Sequence, residues 1–259
     1  MNQKLQIEDR IKIGLIIIVL FIPVLSMAQQ DRLTIAIASS LLLPLQEIEQ
    51  SFEDINNCNI EFISAATGSL TSQILNGAPY DLFIGADLDY PNRLAKTGLT
   101  ENPPAVALNG RVYFWSSSKV EKDELLWSLK NGTFKRISIS NPDLAPFGRT
   151  ARDWLIRKDA WNAIESSMVF GNSIGQVNHY IKLNTVEAAF SANSAAFSEA
   201  LKSHGFWMAI EGPDIALVPY FYVILQKSKS KSMAQKFINF LSSEASLTLL
   251  RKYGFVIGE

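Results

Sequence analysis

LTIAIASSLLLPLQEIEQSF, residues 33–52, is the stretch that decides the fold. Its first six residues form a short, largely apolar run typical of a buried strand. One apolar face follows at helical spacing: Leu41, Leu45, Ile48 and Phe52. Pro44 fits only near the first turn of that helix, because deeper in it would remove a backbone hydrogen bond. The strand therefore becomes a helix at Ser39 or Ser40, where a serine is by default the N-terminal cap.

Further short apolar runs alternate with helical patterns along the rest of the chain. They are IEFISA (60–65), DLFIGA (81–86), RVYFW (111–115), RISIS (136–140) and ALVPYFYVIL (216–225). This alternation is typical of an α/β protein. The chain is long enough for one large domain or two smaller ones.

The first 28 residues predict a cleavable export signal. Three basic residues come first, an apolar run follows over residues 13–25, and Ser26-Met27-Ala28 places small residues where a signal peptidase reads them. An uncleaved membrane anchor is the alternative, but the run is well short of the roughly 20 residues that span a bilayer. Since the cleavage site has no cysteine, lipid attachment is not expected. The mature protein is predicted to be periplasmic and not inserted in the membrane.

Charge and cysteine content exclude several classes of partner. The formal net charge is −1, and removing a leader with three basic and two acidic residues leaves −2. Such a chain is not suited to nucleic acid or to an anionic membrane surface. Cys58 is the one cysteine, so neither an intrachain disulfide nor a thiolate metal cluster is expected. We interpret it as a structural residue.

Four stretches place small hydroxyl or glycine residues directly before a helical pattern: residues 38–40, 66–69, 141–148 and 171–174. A helix start presents unpaired backbone N–H groups and the positive end of the helix dipole, so it attracts anions. Gly68 lets the backbone come close to a ligand or merely makes a turn. Together the four junctions indicate capture of an oxyanion by neutral donors, although helix capping alone explains any single one.

Two kinds of charged residue near these junctions have simpler interpretations. Asp81 and Asp87 are six residues apart on one strand, about 20 Å, so they cannot act on one substrate atom. Capping and turn roles are expected for both. Arg149 lies in the first turn of a helix, where it opposes the dipole at a small cost that a nearby anion would remove. A solvated surface arginine is the alternative.

Three motifs carry a resemblance to a known family. They are GAPYDLFIGAD (77–87), ISNPDLAPFG (139–148) and RKYGF (251–255). In this order, and in register over about 220 residues, the chain resembles the periplasmic molybdate-binding proteins of ABC transporters. The resemblance implies an α/β fold of the two-lobed type II periplasmic binding protein kind, with the ligand in a cleft between lobes joined by hinge crossings.

The resemblance also implies how the chain divides and which residues bind. Lobe 1 would be residues 29–110 plus 226–259, and lobe 2 residues 111–225, with crossings near Gly110-Arg111 and Leu225-Gln226. The implied oxyanion ligands are the hydroxyls of Ser40, with Ser39 beside it, and Thr67, with Gly68 beside it, and the backbone N–H groups of Phe147 and Ile174. Some members add a tyrosine hydroxyl at a place that here holds Ala192.

The implied function is the capture of molybdate or tungstate without a cofactor, as a monomer, and delivery to an ABC permease and through it to the ATPase. A binding or sensory protein for another oxyanion or small solute is the alternative. A hydrolase is the third class. It would need His179 or His204 as a base, and neither histidine is framed by a catalytic motif.

Overall fold

The computed structural model describes residues 31–210 and 217–257, which belong to one compact unit. The predicted export signal, residues 1–28, lies outside the described residues. No helix within the described ranges is both long and apolar enough to cross a membrane.

Strands and helices alternate along the described residues. The strands are β1 (Asp31–Ala38), β2 (Cys58–Ala65), β3 (Leu82–Ala86), β4 (Ala105–Gly110), β5 (Val112–Ser116), β6 (Ile137–Ser140), β7 (Met168–Gly171), β8 (Ala188–Ala192), β9 (Phe206–Ala209) and β10 (Val218–Ile224). The helices are α1 (Leu42–Asn56), α2 (Thr67–Leu75), α3 (Asp89–Lys96), α4 (Leu125–Lys130), α5 (Pro146–Arg157), α6 (Trp161–Ile164), α7 (Ile174–Lys182), α8 (Asn193–Phe197), α9 (Lys231–Leu241) and α10 (Glu244–Lys252). A short 3₁₀ helix, Ser39–Leu41, joins β1 to α1, and another covers Glu165–Ser167.

The first sheet has the order β2-β1-β3-β10-β4 among the described strands. Strands β2 and β3 are parallel to β1, and β10 is antiparallel to both β3 and β4. Because β1, β2 and β3 point the same way, their carboxyl ends meet at one edge of the sheet, where α/β proteins bind ligands.

The second sheet has the order β7-β6-β8-β5-β9 in the part of the chain that the structure describes. Strand β6 is parallel to β7 and β8, whereas β5 is antiparallel to β8 and β9. The chain leaves the first sheet after Gly110 and enters the second at Val112.

The predicted second crossing, near Leu225-Gln226, is wrong as a boundary between the sheets. Strand β10 lies within the segment assigned to lobe 2, yet its register pairs Tyr222 with Ile84 of β3. The chain has therefore returned to the first sheet by Val218. The sequence missed this because an apolar strand fits the core of either sheet equally well.

The apolar face predicted for the first helix is confirmed. Its members are all buried: Leu41, Leu45, Ile48 and Phe52. Phe52 packs edge-on against Phe237 of α9, with ring centroids 5.1 Å apart. Burial of such side chains is worth about 2 kcal/mol each. It fixes α1 against the first sheet, so that the chain preceding α1 is held at the carboxyl end of β1.

Candidate functional site

Four helix starts converge on one small cavity. It is lined by Ala38, Ser39, Ser40, Ala65, Ala66, Thr67, Ala86, Ala145, Pro146, Phe147 and Ile174. The cavity volume is about 10 Å³, which is roughly the room that one water molecule needs. The junctions singled out in the sequence are thus brought together in space, from positions more than 130 residues apart.

Three of the lining residues are the last residues of parallel strands. Ala38 ends β1, Ala65 ends β2 and Ala86 ends β3. A methyl side chain at each strand end leaves space for a ligand, and the helical segments that follow β1 and β2 begin at the cavity wall. The first sheet therefore contributes the starts of the 3₁₀ helix and of α2, and the loops of the second sheet contribute the starts of α5 and α7.

Two lining hydroxyls each accept a hydrogen bond from a backbone N–H. Gly175 N donates to Ser39 Oγ at 3.1 Å, which links α7 to the end of β1. Ala86 N donates to Thr67 Oγ1 at 3.2 Å. An N–H group can only donate, so Ser39 and Thr67 both keep their own hydroxyl proton for another acceptor.

The third hydroxyl, Ser40 Oγ, lies 2.6 Å from the hydroxyl of Tyr220 on β10. Burial raises the pKa of Tyr220, which keeps that phenol protonated. Ser194 Oγ also donates to the backbone oxygen of Ser40 at 2.6 Å. The default interpretation of Ser39 or Ser40 as a helix cap is wrong, because the cap position is Ala38 and no side chain caps this start.

Phe147 and Ile174 contribute backbone N–H groups. Phe147 is the second residue of α5 and Ile174 is the first of α7. Both N–H groups are among those that a helix leaves without an intrahelical partner. Ser173 caps α7 by accepting a hydrogen bond from Gln176 N at 3.3 Å. The cap therefore accepts from the N–H of Gln176 and not from the N–H of Ile174.

Gly68 is not among the described residues that line the cavity, unlike the other predicted ligands. Its N–H donates to Leu144 O at 2.9 Å. A β-carbon at this position would lie 3.1 Å from the same oxygen. The glycine thus allows the start of α2 to approach the loop before α5, and its prediction as a ligand contact is not supported by this geometry.

The cavity is neutral and is flanked by an ion pair. Of the described residues that line it, none is acidic, basic or histidine. Arg149 in the first turn of α5 donates to Asp87 Oδ2 at 2.8 Å and to the hydroxyl of Tyr90 at 3.0 Å. Burial raises the pKa of Tyr90, and the arginine opposes that shift. The alternative of a solvated surface arginine is wrong, because Arg149 joins α5 to the end of β3 and the start of α3.

Asp81 and Asp87 have the structural roles expected of them. Asp81 accepts hydrogen bonds from Thr34 N at 2.9 Å and Ser228 Oγ at 2.7 Å, which ties the start of β1 to the segment after β10. Asp87 Oδ1 accepts from Asp89 N at 3.1 Å, a turn contact. The sequence did not predict the second bond of Asp87, to Arg149.

The remaining candidates lie elsewhere. Ala192 ends β8, is fully buried and is not part of the described lining. His179 lies on α7, and the backbone oxygen of His204 accepts from Trp115 Nε1. Neither histidine is among the described residues that line the cavity. In the described ranges no three His, Cys, Asp or Glu side chains are placed to hold a metal ion. Cys58 is buried at the start of β2.

Comparison with known proteins identifies the class. Residues 33–256 match the model of the family described as bacterial extracellular solute-binding protein. That match covers most of the chain, and the chain belongs to this family. It has the two-lobed α/β fold of periplasmic binding proteins, and it is a binding protein, not an enzyme.

Individual relatives and solved structures are similar to this chain over most of its length. The chain is 28% identical to the molybdate-binding protein ModA of Azotobacter vinelandii over 229 residues, 88% of this chain and 91% of the relative. The solved structure of the periplasmic molybdate-binding protein of Azotobacter vinelandii superposes with a TM-score of 0.81 at 21% identity, covering 88% of this chain and all of that one. The sulfate-binding protein SubI of Mycobacterium tuberculosis H37Rv superposes with a TM-score of 0.72 at 13% identity, covering 87% of this chain and 86% of that one.

Proposed function

We propose that this protein captures a tetrahedral oxyanion, molybdate or tungstate, in the cavity formed by the four helix starts. The observation that carries the proposal is the hydrogen bonding of the hydroxyls that line the cavity. Ser39 and Thr67 accept hydrogen bonds from backbone N–H groups, so each hydroxyl keeps its own proton to donate to an anion in the cavity. The names of its relatives support molybdate as the ligand.

Neutral donors are sufficient to hold a dianion in such a place. Hydrogen bonds to a charged acceptor are about twice as strong as those between neutral groups. The hydroxyls of Ser39, Ser40 and Thr67 and the N–H groups of Phe147 and Ile174 supply up to five such donors around one centre. The helix dipoles add positive potential at the same point, so no basic side chain is needed for charge balance.

Capture would involve closure of the lobes around the anion. Ser40 and Thr67 follow strands of the first sheet, whereas Phe147 and Ile174 follow strands of the second. The cavity is too tight for entry without parting these elements. Binding proteins commonly close two lobes around a ligand by a hinge motion. The contacts of Arg149 with Asp87 and Tyr90 would hold the closed form.

The transport role follows from the same proposal. An exported protein of this family, with its leader removed, would release the oxyanion in the periplasm to an ABC permease coupled to an ATPase. It would act as a monomer, since the donors on both sides of the cavity come from one chain. The lobe boundaries proposed here are residues 31–110 with 218–257 for lobe 1 and 112–209 for lobe 2, as the two sheets indicate.

Sulfate is the main competing ligand, and the likeness to a sulfate-binding protein is the observation that favours it. Both anions are tetrahedral dianions and would use the same donors. Cavity size would separate them, because the longer bonds of molybdate and tungstate need a wider ring of donors.

The experiment is thermal unfolding of residues 29–259 with molybdate, tungstate, sulfate or phosphate added in turn. A ligand at ~1,000 times its dissociation constant adds about 4 kcal/mol to the free energy of unfolding, which is a readily measured shift. The proposal expects shifts with molybdate and tungstate. A shift with sulfate alone would keep the donor mechanism and change the ligand, and no shift with any of the four would refute the proposal.

A further inference from the structure

We propose that Tyr220 is a positioning residue for the anion site, which donates to Ser40 Oγ and so directs the Ser40 proton into the cavity. This inference rests on the proposed function. It adds a group that lies on β10, 180 residues from the serine it orients. Tyr220 itself does not line the cavity.

The direction of the hydrogen bond follows from elimination. The two oxygen atoms are 2.6 Å apart, and either could donate on distance alone. Tyr220 is fully buried, and within the described part of the chain Ser40 Oγ is the acceptor available to its hydroxyl. If the serine donated instead, the tyrosine proton would be buried without an acceptor, which destabilises the folded protein. Tyr220 therefore donates and Ser40 accepts.

The hydroxyl proton of Ser40 is then available to a ligand in the cavity. Ser40 is 3% exposed, and its hydroxyl has no other described partner than Tyr220. Because its oxygen already accepts from the phenol, the Ser40 proton is free to point at the cavity that the residue lines. Ser40 thereby matches Ser39 and Thr67, whose oxygens accept from backbone N–H groups.

Packing holds the tyrosine in this orientation. The centroid of its ring lies 6.0 Å from the ring centroid of Phe147, the residue proposed to provide a backbone donor, and 5.9 Å from that of Phe255. At Gly110 a β-carbon would come within 3.1 Å of the Tyr220 ring. Burial raises the pKa of Tyr220, so the phenol remains a donor at all ordinary pH values.

The test is a double-mutant cycle on molybdate affinity, measured by calorimetric titration of the mature chain. Tyr220→Phe removes only the hydroxyl and is expected to weaken binding about tenfold, the effect of one lost hydrogen bond. In the Ser40→Ala background the same change is expected to leave affinity within about twofold. Tyr222→Phe, on the same strand, is the matched control and should bind like the parent.

Two results would overturn the inference. One is an unchanged affinity in Tyr220→Phe, and the other is an equal loss in both backgrounds, which would show a merely structural role. A parent chain that binds none of the oxyanions would instead refute the proposed function. The ligand-free proteins report the pairing separately: Ser40→Ala should lower Tm by stranding the phenol, and adding Tyr220→Phe should recover part of that loss. Failure to recover it would show that the two hydroxyls are not partners.

Discussion

Replacing Thr67 with valine tests the donor mechanism at a single atom. Valine has nearly the shape of threonine, so Thr67→Val exchanges the hydroxyl for a methyl group at a residue that is 1% exposed. Two interactions are removed. Thr67 Oγ1 no longer accepts from Ala86 N, and it no longer presents a proton to the cavity.

The two losses have separate magnitudes. A hydrogen bond to a charged ligand is worth about 1.5–3 kcal/mol, so affinity for the oxyanion should fall by a factor of about 10 to 150. The N–H of Ala86, itself 1% exposed, loses its acceptor. That should lower the free energy of unfolding of the ligand-free protein by about 1–3 kcal/mol.

Thr71→Val provides the matched control for both measurements. Thr71 is one turn further along α2, is also 1% exposed, and donates to Thr67 O at 2.8 Å instead of facing the cavity. Its valine variant should lose about 1 kcal/mol of stability and keep the parent affinity. Calorimetric titration gives the affinity and denaturant unfolding gives the stability. The reasoning is refuted if Thr67→Val binds as tightly as the parent, or if both variants lose affinity equally.

Three further predictions concern closure, packing and pH. Arg149→Met removes the ion pair with Asp87, and such a partly exposed pair is worth about 1 kcal/mol. Oxyanion binding should therefore weaken about fivefold through faster release, which stopped-flow kinetics would measure. An unchanged release rate would contradict the closing role of Arg149. Gly148→Ala places a β-carbon 1.9 Å from Ser140 O, so the variant should lose about 3 kcal/mol or more of stability, and an unaltered Tm would show that the contact can relax. Burial raises the pKa of Tyr220 above its ordinary 10.0, so the stability it contributes is complete below about pH 10 and is lost as pH rises further. The free energy of unfolding should then fall by about 1.4 kcal/mol per pH unit from this group, and Tyr220→Phe, followed by denaturant titration, should remove that part of the slope.

Local patterns were sufficient to predict most of the strands and the site-forming junctions. The apolar runs beginning at Leu33 and Ile60 each lead into a helix whose buried face has helical spacing, and these signals lie within about twenty residues of sequence. A proline–glycine loop and a Gly-Asn-Ser turn each indicate a helix start, but it was the family resemblance that implied Phe147 and Ile174 as the donors there. The short strands β4, β7 and β9 were not predicted.

Long-range pairing was not available from the sequence. No neighbouring residue in the sequence indicates that the hydroxyl of Tyr220 contacts Ser40, because Tyr220 lies in an apolar run that is typical of a buried strand. Gly68 was assigned to the ligand when its N–H in fact donates to Leu144 O, a contact set by how the two sheets approach each other. The pairing of Arg149 with Asp87 was missed for the same reason.

The return of the chain to the first sheet was also misplaced for a physical reason. Strand β10 is apolar on both faces, so its composition is compatible with either sheet, and only its hydrogen-bonded register with β3 and β4 decides. An error of this kind moves one strand between lobes without changing the residues that form the cavity.

Locating the bound metal directly is the measurement that tests the central claim. Crystals of the mature chain grown with molybdate would give an anomalous difference map at the molybdenum absorption edge. The account predicts one strong peak in the cavity, with oxyanion oxygen atoms in hydrogen-bonding range of the hydroxyls of Ser40 and Thr67 and of the N–H groups of Phe147 and Ile174. A peak at any other place on a protein that binds molybdate in solution would contradict it.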